Sequence, residues 1–141
     1  MNSQVNSDYI EFRIKEMNDA ILLLRKLTSR EYSDLHVYEK LALRYLVIQL
    51  VEAAASICLH ILLNVFNESA ESYPECFIRL GERGVIPRGL AEKLASATRL
   101  RNLLVHRYWV IVDEKVYESV KEGLRDFQEY IQHVRSLLRK D

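Results

Sequence analysis

Apolar residues recur in steps of three and four along nearly the whole chain, and this spacing commits it to helices. Ile10, Ile14, Met17, Ile21 and Leu24 form one stripe, and Leu43, Val47, Leu50, Ala54, Ile57 and Ile61 a second. Val116, Val120, Leu124, Phe127, Ile131, Val134 and Leu138 form a third. A stripe gains burial only when another element covers it, so these helices must pack on one another. Four glycines and two prolines in 141 residues argue against turn-rich β architecture. Val110-Ile111-Val112 is the only strand-like triplet and is too short to change the class. The expected fold is all-α, an antiparallel four-helix bundle with an additional short helix.

Local signals set the boundaries. Asp8 and Glu11 have capping-box spacing at the start of the first helix, which fades between Thr28 and Tyr32. Ser33 or Asp34 can cap a second helix reaching about Asn64, roughly thirty residues and about 45 Å long. The polar segment from Asn67 to Tyr73 interrupts the pattern. Pro74 suits the first turn of a short third helix ending near Gly81 or Gly84, and Pro87 opens a fourth, from about Arg88 to Trp109. Asp113 is the expected N-cap of the last helix. No linker or repeat divides the chain, which reads as one domain over residues 1–141.

Composition narrows the function classes. Twenty basic and twenty acidic residues cancel, so no global field draws in a polyanion, and a nucleic-acid contact must come from a local patch. Cys58 and Cys76 lack C-x-x-C spacing and make no disulfide framework, which points to a reducing compartment. The segment MNSQVNSDYI has neither the basic nor the apolar region of a secretory signal. The most lipid-like stretch, Tyr45 to Phe66, contains Gln49, Glu52, His60 and Asn64, and a charge there is costly in a bilayer. A buried helix of a cytoplasmic protein, with no membrane contact, is the expectation.

One segment concentrates chemistry. The fourth helix ends in Arg99-Leu100-Arg101-Asn102-Leu103-Leu104-Val105-His106-Arg107-Tyr108-Trp109. Cations at a helix C-terminus meet the negative end of the macrodipole, and composition alone asks for no more than that. The order is more specific: Arg101, four residues, His106, one residue, Tyr108, with Asn102 directly after the arginine.

This R-x4-H-x-Y arrangement resembles the HEPN superfamily and, within it, the HepT-like toxins. Tyr73-Pro74-Glu75-Cys76-Phe77, Leu80-Gly81-Glu82-Arg83-Gly84-Val85-Ile86-Pro87 and Val116-Tyr117 are similar to that family in the same order, across nearly the whole chain. The aliphatic Val110-Ile111-Val112 departs from it where such sequences often carry an acidic residue. The resemblance implies a HEPN-like bundle acting as a homodimer, a metal-independent endoribonuclease with Arg101, Asn102 and His106 at its site. It also implies a cognate MntA-type nucleotidyltransferase antitoxin that transfers AMP to Tyr108. No cofactor is expected.

The residue types suit that chemistry. Cleavage by a ribose 2′-hydroxyl needs a proton acceptor, a proton donor and charge stabilisation on the phosphorane. Histidine titrates near neutrality, and a guanidinium forks two phosphate oxygens. Asn102 suits an orienting or phosphate-side role. An adenylyl group on Tyr108 would place a phosphodiester anion beside the arginine that must take substrate phosphate.

Helix geometry constrains the pair. Arg101 and His106 lie about 140° apart around a helix, with Cα atoms about 8–9 Å apart. Either the helix distorts, or the arginine wraps round, or two copies supply the groups jointly across a dimer. The last is favoured and agrees with the family.

Other features are weaker. Gln49, Ala53, Ser56 and His60 share a face with Glu52 beside them, and suit a cleft lining or a satisfied buried network about equally. His36, His60, His106 and His133 have no metal-ligand spacing, so no metal site is expected. Cys58 reads as a core residue, and Tyr45, Tyr117 and Tyr130 as packing residues. The rival to a ribonuclease is a non-catalytic helical binding module that associates with a nucleotidyltransferase or binds nucleotide; a bundle with no ligand is a third reading.

Overall fold

The computed structural model describes residues 5–140, so the first four residues of the segment read as lacking a signal lie outside it. Five helices follow in order: α1 Ser7–Thr28, α2 Val37–Phe66, α3 Tyr73–Glu82, α4 Arg88–His106 and α5 Asp113–Arg139. Short 3-10 turns occupy Tyr32–Asp34 and Tyr108–Val110, and no strand occurs among the described residues. The expected class therefore holds: four long helices and one short one.

The 30-residue α2 is the centre, buried on most faces from Leu43 to Leu62. It is long and apolar enough to cross a membrane, but the other helices cover it. α1 lies along it through Ile10, Ile14, Met17, Ile21 and Leu24, all buried. α5 contributes Val116, Val120, Leu124, Phe127, Ile131 and Val134 to the same core. Tyr130, fully buried on α5, donates its hydroxyl to the Ala54 carbonyl at 2.9 Å and meets Phe77 edge-on with centroids 5.5 Å apart. This one side chain ties α5 to α2 and α3, and its burial pushes the phenol pKa well up. Tyr117 closes the end of α1, donating to the Arg30 carbonyl at 2.6 Å. Tyr45 departs from the packing expectation: it points outward from α2, 64% exposed, because the apolar positions around it already fill the core-facing stripe.

α3 and α4 form a tight hairpin. Gly84, at φ 76°, takes the left-handed conformation that turns the chain between them. A Cβ on Gly81 would meet the Ala91 Cβ at 2.8 Å, so the glycine allows the two helices to approach.

Several helix ends differ from expectation. Asn6, not Asp8, caps α1, its side chain accepting from the Tyr9 amide at 3.0 Å. Ser33 and Asp34 sit in the 3-10 turn, and α2 is capped by His36. The His36 Nδ1 accepts from Tyr38 N at 3.1 Å, and Glu39 accepts from the His36 amide at 2.8 Å. An imidazole thus fills the role expected of a hydroxyl or carboxylate. α4 ends at His106 rather than Trp109. Asp113 is the first residue of α5 and not its N-cap, because its carboxylate is taken by Arg44 at 2.6 Å.

The cysteines also depart from expectation. Cys58 on α2 and Cys76 on α3 are both fully buried, as the core reading of Cys58 requires, but they are joined as a disulfide with Cα atoms 6.3 Å apart. Their pairing depends on how α3 folds back onto α2, which sequence spacing does not show, so the cysteines do not support the reducing compartment expected from them.

His60, on α2, anchors the start of α1. Its Nε2 accepts from the Asn6 amide at 3.0 Å, and Tyr9 lies on its ring at 5.0 Å. Burial lowers its pKa from the ordinary 6.5. A folded pKa below the unfolded one means the neutral ring contributes stability above pH 6.5, lost as pH falls through the folded value. Hydrogen exchange should therefore show amides of the first α1 turn losing protection on acidification, and His60→Gln should flatten that dependence.

Candidate active site

α4 carries the motif into solvent as an undistorted helix. The Arg107 amide donates to the Leu103 carbonyl at 2.8 Å, so regular bonding persists through His106, and local distortion is not how Arg101 and His106 would meet. The two residues point to different sides. Arg101 turns inward with its side chain 18% exposed, whereas His106, the last residue of α4, is exposed.

The Arg101 guanidinium is held from several directions. Nη1 donates to Asn102 Oδ1 at 2.8 Å, and Nη2 pairs with a carboxylate oxygen of Glu52 on α2. The other Glu52 oxygen accepts from the Tyr73 hydroxyl at 2.8 Å, and the Tyr73 ring lies beneath the guanidinium, 5.2 Å from centroid to Cζ. Burial first, and the bond to Glu52 second, raise the Tyr73 pKa, so the phenol stays protonated and donates. The Arg101 Nε is buried without a partner.

The structure thus brings Arg101 and Asn102 together, and leaves His106 and Tyr108 on the open end of the same segment. Tyr108 sits in the 3-10 turn, 61% exposed, edge-on to Trp109 at 5.5 Å. Its hydroxyl takes no protein partner among the described residues, unlike a tyrosine packed at a helix end. Leu103, Val105, Tyr108, Trp109, Val110 and Val112 are all exposed around His106. Exposed apolar side chains concentrated in one short segment suit an interaction surface.

The polar stripe on α2 divides. Gln49 donates to the Glu16 carbonyl at 3.2 Å, and His60 serves the start of α1, so both belong to an internal network. Glu52 alone reaches the motif arginine. Two contributors were not singled out from sequence. Tyr73 lies in the Tyr-Pro-Glu-Cys-Phe segment similar to the family, and that is its only sequence signal. Arg44 has none: its Nε donates to Asp113 and its Nη1 to the Tyr108 carbonyl at 3.3 Å, tying the turn to α2.

With fold and site in view, solved structures agree on the class. The cytosolic protein of unknown function YutE from Bacillus subtilis superposes with a TM-score of 0.88 at 18% identity, over 99% of this chain and 94% of that one. The tri-AMPylated Shewanella oneidensis HEPN toxin in complex with MNT antitoxin gives 0.82 at 21% identity, over 93% and 99%. The molecule therefore has the helical fold of the HEPN toxins. Residues 15–134 match the family described as Ribonuclease HepT-like. The tRNA nuclease HepT of Aphanizomenon flos-aquae (strain 2012/KM1/D3) is 30% identical over 131 residues, 92% of this chain and 89% of the relative. The chain belongs to the HepT-like ribonuclease family.

Arg44 gives a test of how the motif end is held. Arg44→Ala should raise hydrogen exchange and protease sensitivity across residues 108–112 while protection of central α2 stays unchanged. Equal protection in both proteins would show that the loop holds itself.

Proposed function

We propose that this protein is a metal-independent endoribonuclease toxin acting as a homodimer in the cytoplasm. The observation that carries this reading is the motif end of α4: a guanidinium held at a fixed place, with an exposed imidazole and tyrosine one turn further on. His106 accepts the proton of a ribose 2′-hydroxyl as the 2′ oxygen bonds to phosphorus. The bond from phosphorus to the 5′ oxygen then breaks, and imidazolium returns a proton to that oxygen. The products are a 2′,3′-cyclic phosphate and a 5′-hydroxyl. Arg101 neutralises the phosphorane oxygens, and Asn102 fixes one Nη of the guanidinium. Arginine and histidine together supply the charge stabilisation and proton transfer this route needs.

Because Arg101 and His106 face different sides of one helix, the working site is read as composite, each copy lending a group across the apolar surface around His106. The tRNA nuclease HepT relative favours an RNA substrate, with tRNA the first to try. The AMPylated toxin with its MNT antitoxin favours silencing by a cognate MntA-type nucleotidyltransferase, with Tyr108 as acceptor. Its exposure leaves the phenol oxygen open to an incoming adenylyl group, and the added anion would oppose substrate phosphate.

A second reading, a non-catalytic module that binds a nucleotidyltransferase or nucleotide, draws on the separation of Arg101 and His106 within one chain. Incubating purified protein with tRNA in EDTA separates the two. The enzyme reading expects cyclic-phosphate ends and at least a ~100-fold loss of rate in His106→Ala at unchanged helicity. Binding without cleavage, or a His106→Ala variant as active as the parent, would contradict it.

A further inference from the structure

A polar cluster from two other helices grips the motif arginine. Glu52 on α2 and Tyr73 on α3 close a loop with Arg101 on α4: hydroxyl to carboxylate, carboxylate to guanidinium, guanidinium over the ring of the same tyrosine. An exposed ion pair contributes little, since both side chains swing freely. Here the second carboxylate oxygen is occupied and the cation is stacked, so neither partner can swing without breaking another contact.

Stability alone does not call for this arrangement. A mostly buried ion pair is often replaceable by apolar side chains without loss, and the Arg101 Nε is left buried and unpaired, which costs stability. What the loop fixes is the orientation of the guanidinium plane. We infer that Glu52 and Tyr73 are positioning residues for RNA cleavage, locking Arg101 so that its remaining Nη hydrogens meet the phosphorane at a set angle. The inference rests on the ribonuclease reading of Arg101 above.

The charge of Glu52 sharpens the expectation. A carboxylate on Nη2 offsets much of the arginine's pull on an incoming phosphodiester, so Arg101 adds little to ground-state binding. Its contribution then falls where negative charge builds on the equatorial oxygens, and interactions stronger in the transition state raise kcat rather than lower KM. Tyr73 acts only through Glu52 and the ring face, never on substrate.

The test is steady-state cleavage of bulk deacylated tRNA by the full chain. Glu52→Gln keeps size and one acceptor but removes the charge. It should lower kcat roughly 10–100-fold with KM unchanged or reduced. Tyr73→Phe keeps the ring and should lose less. The double variant should be no worse than Glu52→Gln alone, because the hydroxyl works through the carboxylate.

Parent-like kcat in Glu52→Gln, a rise in KM alone, or multiplying losses in the double variant would each overturn the inference. Should Glu52→Gln fail to fold, Tyr73→Phe decides: reduced kcat at constant KM supports the inference, and parent kcat overturns it. Inactive Arg101→Ala and His106→Ala beside fully active Glu52→Gln and Tyr73→Phe would sink this inference alone. Active Arg101→Ala and His106→Ala would remove the ribonuclease reading and this inference with it.

Discussion

A 30-residue helix as apolar as α2 must be covered on nearly every side, and the arrangement of the other helices follows from how they cover it. α1 and α5 carry amphipathic stripes that lie against it, and the α3–α4 hairpin closes the remaining side. Three polar residues of α2 bond outside their own helix: Gln49 on a carbonyl of α1, His60 on the amide of Asn6, Glu52 on Arg101. Arg101 is mostly buried, and a charge so placed needs a partner, so the position of Glu52 also settles where Arg101 sits.

This coupling gives the two halves of the motif different mechanical characters. Arg101 is tied to α2 and α3, whereas His106, Tyr108 and Trp109 are exposed, with Arg44 holding the Tyr108 carbonyl. Such a division suits the proposed site, in which the electrostatic element stays rigid while the histidine and the tyrosine remain reachable. It also explains why one chain holds the motif residues without bringing them face to face.

Much of this was legible in the sequence because helical periodicity and the motif are both local patterns. The three stripes gave the class and most of the core, and Arg101, Asn102, His106 and Tyr108 stood out by spacing. Whatever depends on neighbours distant in sequence did not show. Asp113 read as a cap because nothing in sequence reveals Arg44 reaching across to it. Cys58 and Cys76 read as unpaired for the same reason, and Tyr73 was one aromatic among many until α3 placed it under a guanidinium. The end of α4 was overextended because no glycine or proline marks a stop there, while the chain turns at Tyr108–Val110 before α5.

The central claim is that the arginine of one copy works with the histidine of another. Mixing Arg101→Ala and His106→Ala proteins, each inactive alone, and letting subunits exchange tests it directly on tRNA. In a composite arrangement half the dimers are mixed and each regains one intact pairing, so about a quarter of parent activity returns. A mixture as inactive as its two components would contradict the account.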